Sequence, residues 1–291
     1  MPWLQLKLQT EQSHVELLSE QLLEHGALSI TYEDAADQPL FEPPPGATPI
    51  WSNTLITGMF DADCDIDNIS AQLKKQYHQQ ITAIRYEILE DKDWVREWMD
   101  RYQPMQFGEN LWIVPSHHTP PKPDAINILL DPGLAFGTGT HPTTAMCLSW
   151  LAQHPPQQRT VIDYGCGSGI LAIAAAKLDA KRVYAVDNDP QALIATQSNA
   201  NQNVVGEKIS CFGVPAPLSE PVDLLLANIL AGPLIDLAPV FAKLIKPEGQ
   251  LVLSGILAEQ AQQVIAAYQT SFIMQLKHTQ DEWVLLTGTR H

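Results

Sequence analysis

No apolar run in the 291 residues reaches the roughly 18 positions that a bilayer-spanning helix needs. The start, Met1-Pro2-Trp3-Leu4-Gln5-Leu6-Lys7, lacks the basic-then-apolar layout of a secretory signal. A cytoplasmic protein with no membrane association is therefore expected. Cysteine is scarce: Cys64, Cys147, Cys166 and Cys211 are scattered and form no C-x-x-C pair. That argues for separate reduced thiols over a disulfide framework or a zinc site. His117 and His118 are adjacent, but no cysteine lies near them. They read as a solvated loop rather than a metal site, and no metal is expected. Internal repeats and low-complexity tracts are absent. Positive charge is in short supply, with 17 Lys and Arg against 33 Asp and Glu, a net charge of −16, and no basic patch. Such a surface repels nucleic-acid phosphates and suits cationic partners, although it serves solubility equally well.

What is present fits a globular chain: 45% hydrophobic and 17% charged residues. The length favours one large domain with a smaller one. Residues 1–90 read as β-α-β-β-α-β, the ferredoxin-like split motif. Trp3 to Leu8 alternates as a half-buried strand. Thr10 or Ser13 is expected to cap a helix carrying Val15, Leu17, Leu18, Leu22 and Leu23, stopped by Gly26. Strands follow at Ala27 to Tyr32, Leu55 to Phe60 and Ile81 to Leu89, with Pro43-Pro44-Pro45-Gly46 breaking the chain between the first two. Asp65 or Asp67 is placed to cap a second helix through Ile69, Leu73 and Tyr77. Residues 91–106 read as a linker helix, Trp94 and Trp98 sharing a face before Pro104. From 107 to 291, short apolar runs at Thr160 to Asp163, Arg182 to Asp187, Val222 to Ala227 and Gln250 to Gly255 alternate with helices at Ile170 to Leu178, Pro190 to Asn203 and Pro233 to Leu244. That alternation argues a parallel, doubly wound α/β sheet, with Glu282 to Thr287 returning as an antiparallel strand.

The chemistry begins at Asp163-Tyr164-Gly165-Cys166-Gly167-Ser168-Gly169. A strand-to-helix turn with Gly165, Gly167 and Gly169 at alternate positions lets a ligand lie on bare backbone. A dinucleotide loop needs G-x-G-x-x-G, and here the third glycine comes one residue early. Asp163 before the loop disfavours a pyrophosphate and attracts the amino group or sulfonium of S-adenosylmethionine. The loop resembles the first motif of class I methyltransferases. Asp187, ending the next strand, is placed to accept both ribose hydroxyls, a device nicotinamide enzymes share. Asp189 reads as the cap of the following helix, with Pro190 in its first turn.

The reacting edge is expected at Asn228-Ile229-Leu230, after the strand from Val222. A primary amine attacks only as the neutral base. An amide oxygen and a backbone carbonyl accept its N–H bonds and aim its lone pair. Asn228 is assigned that role, with the carbonyl of Ile229 or Leu230 assisting; a helix cap is the other reading of Asn228. A second unusual stretch, Asp131 to Thr144, gathers glycine, threonine and Phe136 just before a helix. Thr143 or Thr144 opens that helix, within reach of a cofactor, and His141 is a candidate base.

Asp131 to Thr144, Val161 to Ile173, Val186 to Pro190 and Asn228 to Leu237 together resemble the PrmA family of ribosomal protein L11 methyltransferases. The linker Asp91 to Met99 and Pro2 to Lys7 resemble it too, so the likeness spans nearly the whole chain. The resemblance implies a small N-terminal recognition domain before a class I methyltransferase domain. It implies S-adenosylmethionine as cofactor, held by Thr144, Gly165, Asp187 and Asn228. It also implies trimethylation of α-amino and lysine amino groups of L11. A monomer with no direct nucleic-acid contact is expected. The alternatives are an N-methyltransferase acting on RNA or a small molecule, and a non-catalytic module that signals cofactor occupancy. Acidic charge argues against RNA, and the intact Asp163, Gly165, Asp187 and Asn228 argue against a degenerate site.

Overall fold

The computed structural model describes residues 3–36, 38, 48–90, 102–131, 139–216, 218 and 220–291. The chain divides into two compact units, Met1–Glu97 and Trp98–His291.

In the first unit the apolar alternation foreseen for the opening strand is realised. Strand β1 (Trp3–Glu11) buries Leu4, Leu6, Leu8 and Thr10 on one face. It is followed by α1 (Val15–Glu24), β2 (Ser29–Asp34), β3 (Asn53–Asp61), α2 (Ile66–Gln76) and β4 (Ile81–Leu89). The sheet order is β2-β3-β1-β4, antiparallel throughout. That is the ferredoxin-like arrangement. The buried face packs Leu6, Leu8, Ile56 and Phe60 against Val15, Leu18 and Leu22 of α1 and Ile69 and Leu73 of α2.

Neither foreseen cap serves α1. Thr10 pairs with both Thr54 and Ile81 across the sheet, and its hydroxyl donates to the Gln80 carbonyl at 2.7 Å. Ser13 lies in a short 3-10 turn, so the helix starts after His14 without a side-chain cap. Sheet pairing outcompetes capping there. Leu17 and Leu23 lie on the exposed side of α1. Asp65 does cap α2, accepting the Asn68 N–H at 3.1 Å. The break at 43–46 and residues 91–101 of the expected linker helix lie outside the described residues, and 105–106 already belong to a strand.

The second unit opens with a small sheet, β5 (Met105–Phe107), β6 (Leu111–Val114) and β7 (Ile126–Leu129), in that spatial order. Then come α3 (Pro142–Gln153), β8 (Thr160–Tyr164), α4 (Ile170–Lys177), β9 (Arg182–Val186), α5 (Pro190–Gln202), β10 (Ile209–Phe212), β11 (Val222–Asn228), α6 (Ala231–Leu244), β12 (Ile245–Leu257), α7 (Ala261–Tyr268), β13 (Phe272–Gln280) and β14 (Trp283–Arg290). The main sheet runs β10-β9-β8-β11-β12-β14-β13, parallel as far as β12. Antiparallel β14 wedges between β12 and β13. This is the class I methyltransferase fold. Neighbouring strand residues serve opposite cores. Val161, Leu224 and Leu226 join the α3–α4 layer, whereas Ile162, Leu225 and Ala227 join the layer of α6 and α7. Burial on both faces makes the parallel strands continuously apolar. Strand order reverses between β8 and β11. In open α/β sheets ligands bind outside the carboxyl ends of the strands at such a reversal.

Candidate functional site

Three strand ends meet at that reversal: the turn after β8, Asp187 after β9, and Asn228 closing β11. The spacing of the glycines has a backbone cause. Gly165, Gly167 and Gly169 all carry positive φ, at 78°, 52° and 79°. Left-handed backbone at every second residue is open to glycine at little cost. At two of them a side chain would also collide with a neighbour. A Cβ at Gly165 would come within 2.3 Å of Ile229 Cγ2, and one at Gly169 within 2.8 Å of Thr196.

The turn is tied down from the strand and helix beside it. The Gly165 and Cys166 N–H groups both donate to the Val186 carbonyl, at 2.7 and 3.1 Å. The buried Thr196 hydroxyl of α5 donates to the Gly167 carbonyl at 3.0 Å, and Asn199 donates to that of Ser168 at 2.8 Å. Thr196 and Asn199 escaped sequence reading because they look like ordinary polar helix residues.

Asp187 binds the turn as well. One carboxylate oxygen accepts the Gly167 N–H and the other the Asp189 N–H, each at 3.0 Å. Each carboxylate oxygen has a second acceptor direction. The aspartate is thus oriented by backbone and still able to take two further donors. Asp189 caps α5 through the Gln191 N–H at 2.9 Å, with Pro190 in the first turn, as foreseen.

Asp163 sits differently from its assigned role of attracting a cation. Its side chain is 1% exposed and accepts the Ala172 N–H at 2.9 Å, so it serves one of the unpaired amides opening α4. Burial pushes its pKa up to about 7, opposed by that hydrogen bond and reinforced by the nearby Asp187 charge. An acid held this way ties the end of β8 to the first turn of α4.

At the reacting edge the Asn228 amide nitrogen donates to the Thr144 hydroxyl at 3.1 Å. Thr143 and Thr144 are both buried in the first turn of α3. His141 caps that helix: its Nδ1 meets the Thr143 hydroxyl at 2.8 Å, and its ring lies edge-on to Trp283 with centroids 5.0 Å apart. Partial burial lowers its pKa. Gly139, at φ 91°, packs beside Ile170 at the start of α4; residues 132–138 of the preceding stretch lie outside the described residues. The cap position of α6 is taken by Leu230, which is 50% exposed and makes no side-chain cap bond, so Asn228 is not that helix's cap. The Leu230 carbonyl accepts the Leu234 N–H at 3.2 Å. The Ile229 carbonyl lies against Gly255, whose Cβ position would be only 2.4 Å away. Gly255, at φ 80°, sits where the pairing of β12 with β14 shifts register. Sequence reading passed over it; an isolated glycine within a strand is the signal that marks such a spot.

Among the described residues no cluster of three or more His, Cys, Asp or Glu is arranged to hold a metal ion, and the four cysteines are free. No helix among them is long and apolar enough to cross a membrane.

Known proteins are similar to this chain along its length. The family described as Ribosomal protein L11 methyltransferase (PrmA) matches residues 2–291. A protein of that name from Idiomarina loihiensis is 52% identical over 292 residues, covering 100% of this chain and 99% of its own. Another, from Hydrogenovibrio crunogenus, is 53% identical over 293 residues with the same coverage. The crystal structure of ribosomal protein L11 methylase from Lactobacillus delbrueckii subsp. bulgaricus superposes with a TM-score of 0.59 at 36% identity. It covers 65% of this chain and 99% of that one. With a match along nearly its whole length and half its residues identical to these relatives, the chain belongs to the ribosomal protein L11 methyltransferase (PrmA) family.

Proposed function

We propose that this chain transfers methyl groups from S-adenosylmethionine to α-amino and lysine ε-amino groups of ribosomal protein L11, giving trimethylated products. The observation that carries the reading is the Asn228 amide, fixed by Thr144 beside the glycine turn. Acidic net charge supports it, because a surface at −16 suits a basic protein substrate.

The residues fit the cofactor. Gly167 offers bare backbone to a ligand, while the space beside Gly165 is filled by Ile229. The two remaining acceptor directions of Asp187 match a vicinal diol such as a ribose. Thr143 and Thr144 open α3 close to Asn228 and are proposed to meet the amino-acid end. Bound there, the cofactor supplies a methyl group activated by its sulfonium.

The protein's part is positioning. With its NH2 committed to Thr144, Asn228 turns Oδ1 the other way, where it accepts an N–H of a neutral amine and aims the lone pair. The Leu230 carbonyl accepts the Leu234 N–H and keeps a second acceptor direction, and the Ile229 carbonyl faces Gly255; either is proposed to assist Asn228. A single hydrogen bond to Oδ1 lets the amine turn between the first two transfers; the neutral dimethylated amine has no N–H left, so packing alone positions it for the third. His141 acts as a helix cap in this scheme, and the amine sheds its proton to water. Residues 1–90 are proposed to recognise the substrate, and a ribosomal substrate implies a cytoplasmic enzyme.

The test is incubation of purified L11 with the enzyme and methyl-labelled S-adenosylmethionine, followed by mass spectrometry of the peptides. Mass gains of three methyls at amines support the reading. Label confined to RNA or to small molecules in parallel incubations overturns it.

A further inference from the structure

Ile229 is the residue at the reacting edge whose side chain and backbone are both pressed against glycine. Its Cγ2 methyl rests on Gly165, so closely that a Cβ there would lie 2.3 Å from it. On the other side its backbone N, C and O lie 3.0, 2.8 and 2.4 Å from the place a Cβ would take on Gly255. Both glycines have φ near +80°, a conformation that other residues avoid. Two left-handed glycines, one on the cofactor turn and one in the interior of β12, thus enclose a single residue. That residue directly follows Asn228, whose own amide is tied to Thr144.

We propose that Ile229 is a positioning residue for methyl transfer: stacked between Gly165 and Gly255, its Cγ2 branch sets the spacing between the cofactor turn and the Asn228 amide. The proposal rests on the reading of Asn228 as the group that aims the acceptor amine. Its physical content is steric. Asn228 ends β11, paired with Ser254 of β12 next to Gly255, and Ile229 fills the space between that strand end and the turn. Removing the Cγ2 methyl lets the strand end approach the turn, and removing the Gly255 space pushes it away. Misplacement of about 1 Å in such a reaction costs on the order of a hundredfold in rate. Cofactor affinity depends on Asp187 and the turn, which Gly165, Cys166, Thr196 and Asn199 hold independently.

The shape of the side chain provides the test. Ile229→Val keeps the β-branch that touches Gly165. Ile229→Leu conserves volume and hydrophobicity but has no such branch. The valine variant is expected to retain most of kcat, and the leucine variant to fall about tenfold below it, with cofactor Kd within about threefold in both. Gly255→Ala is expected to lower kcat in the same way at unchanged cofactor Kd. A purely packing role for this half-buried residue gives similar kcat for the two variants, because deleting a methyl and moving one have comparable packing costs. Equal kcat for valine and leucine, or cofactor Kd rising by the factor that kcat falls, overturns the proposal.

A second measurement needs no acceptor. Gly165→Ala is expected to weaken S-adenosylmethionine binding by calorimetry, and adding Ile229→Ala to recover about tenfold of that loss, since the clash is with Cγ2. No recovery overturns the contact. Failure of the unaltered enzyme to methylate L11 at saturating cofactor overturns the substrate reading instead, and the calorimetric pair still decides whether Ile229 sets the turn.

Discussion

Thr144 and Asn228, 84 positions apart in the chain, are joined by a 3.1 Å hydrogen bond from the asparagine amide to the threonine hydroxyl. The bond links the first turn of α3 to the end of β11. It anchors the amide plane at the reacting edge with the nitrogen toward Thr144, which leaves Oδ1 free to face an acceptor amine.

Thr144→Val removes that anchor while preserving shape, and Thr144→Ser keeps it. The valine variant is expected to lose about tenfold or more in kcat, the size of one misdirected hydrogen bond, and the serine variant markedly less. Asn228→Ala is expected to slow methyl transfer more than it weakens cofactor binding. Single-turnover kinetics with calorimetry on the same variants gives both quantities. Equal losses in rate and affinity for Asn228→Ala make it a binding residue only.

Asp187 carries a different load. Its two oxygens hold Gly167 and Asp189 and, in the reading above, two ribose hydroxyls as well. Hydrogen bonds to a charged group contribute about 1.5–3 kcal/mol each. Asp187→Ala is therefore expected to weaken cofactor binding by at least about a hundredfold. An unchanged Kd in titration calorimetry would remove the ribose assignment.

Much of this architecture was legible in the residues. The alternation in Trp3 to Leu8, the apolar runs of β8, β9, β11 and β12 and the glycine turn each reflect a local rule that the fold obeys. The misses have local causes too. Strand β13 is an edge strand with most side chains exposed, so its residues show no apolar period. The strands of the small sheet are three or four residues long. At the site, the sequence marks Asp163 and Asn228 without indicating where their side chains turn. Asp163 points to Ala172, and Asn228 to Thr144, through contacts that depend on how the elements pack. Gly255 matters only because Ile229 lies against it.

The first unit has its own core of Leu6, Leu8, Leu18, Leu22, Ile56 and Leu73, and the second has cores on both faces of its sheet. The cofactor turn, Asp187, Thr144 and Asn228 all belong to the second. Deleting residues 1–90 is expected to leave cofactor affinity within about threefold and to reduce kcat/KM for L11 by at least about a hundredfold. Calorimetry and methylation of free L11 measure the two. Full activity of the truncated enzyme would mean that the first unit does not recognise the substrate.

Asp163 gives the enzyme a pH dependence of stability with an unusual sign. Burial raises its pKa from 3.8 to about 7. The folded protein therefore keeps this proton after the unfolded chain has released it. Across that window the unfolded state binds fewer protons, so stability falls as pH rises, with a slope of up to about 1.4 kcal/mol per pH unit for one proton. Its contribution is fully present below 3.8 and lost as pH climbs through the folded value. Asp163→Asn abolishes the titration and keeps an oxygen for the Ala172 N–H. Urea denaturation of both proteins at intervals between pH 4 and 8 is expected to show the wild type losing stability relative to the variant as pH rises. The gap should open steadily and level off above about pH 7, where Asp163 is ionised in both states. A difference independent of pH would show that Asp163 is ionised throughout, and its burial would then need a cationic partner.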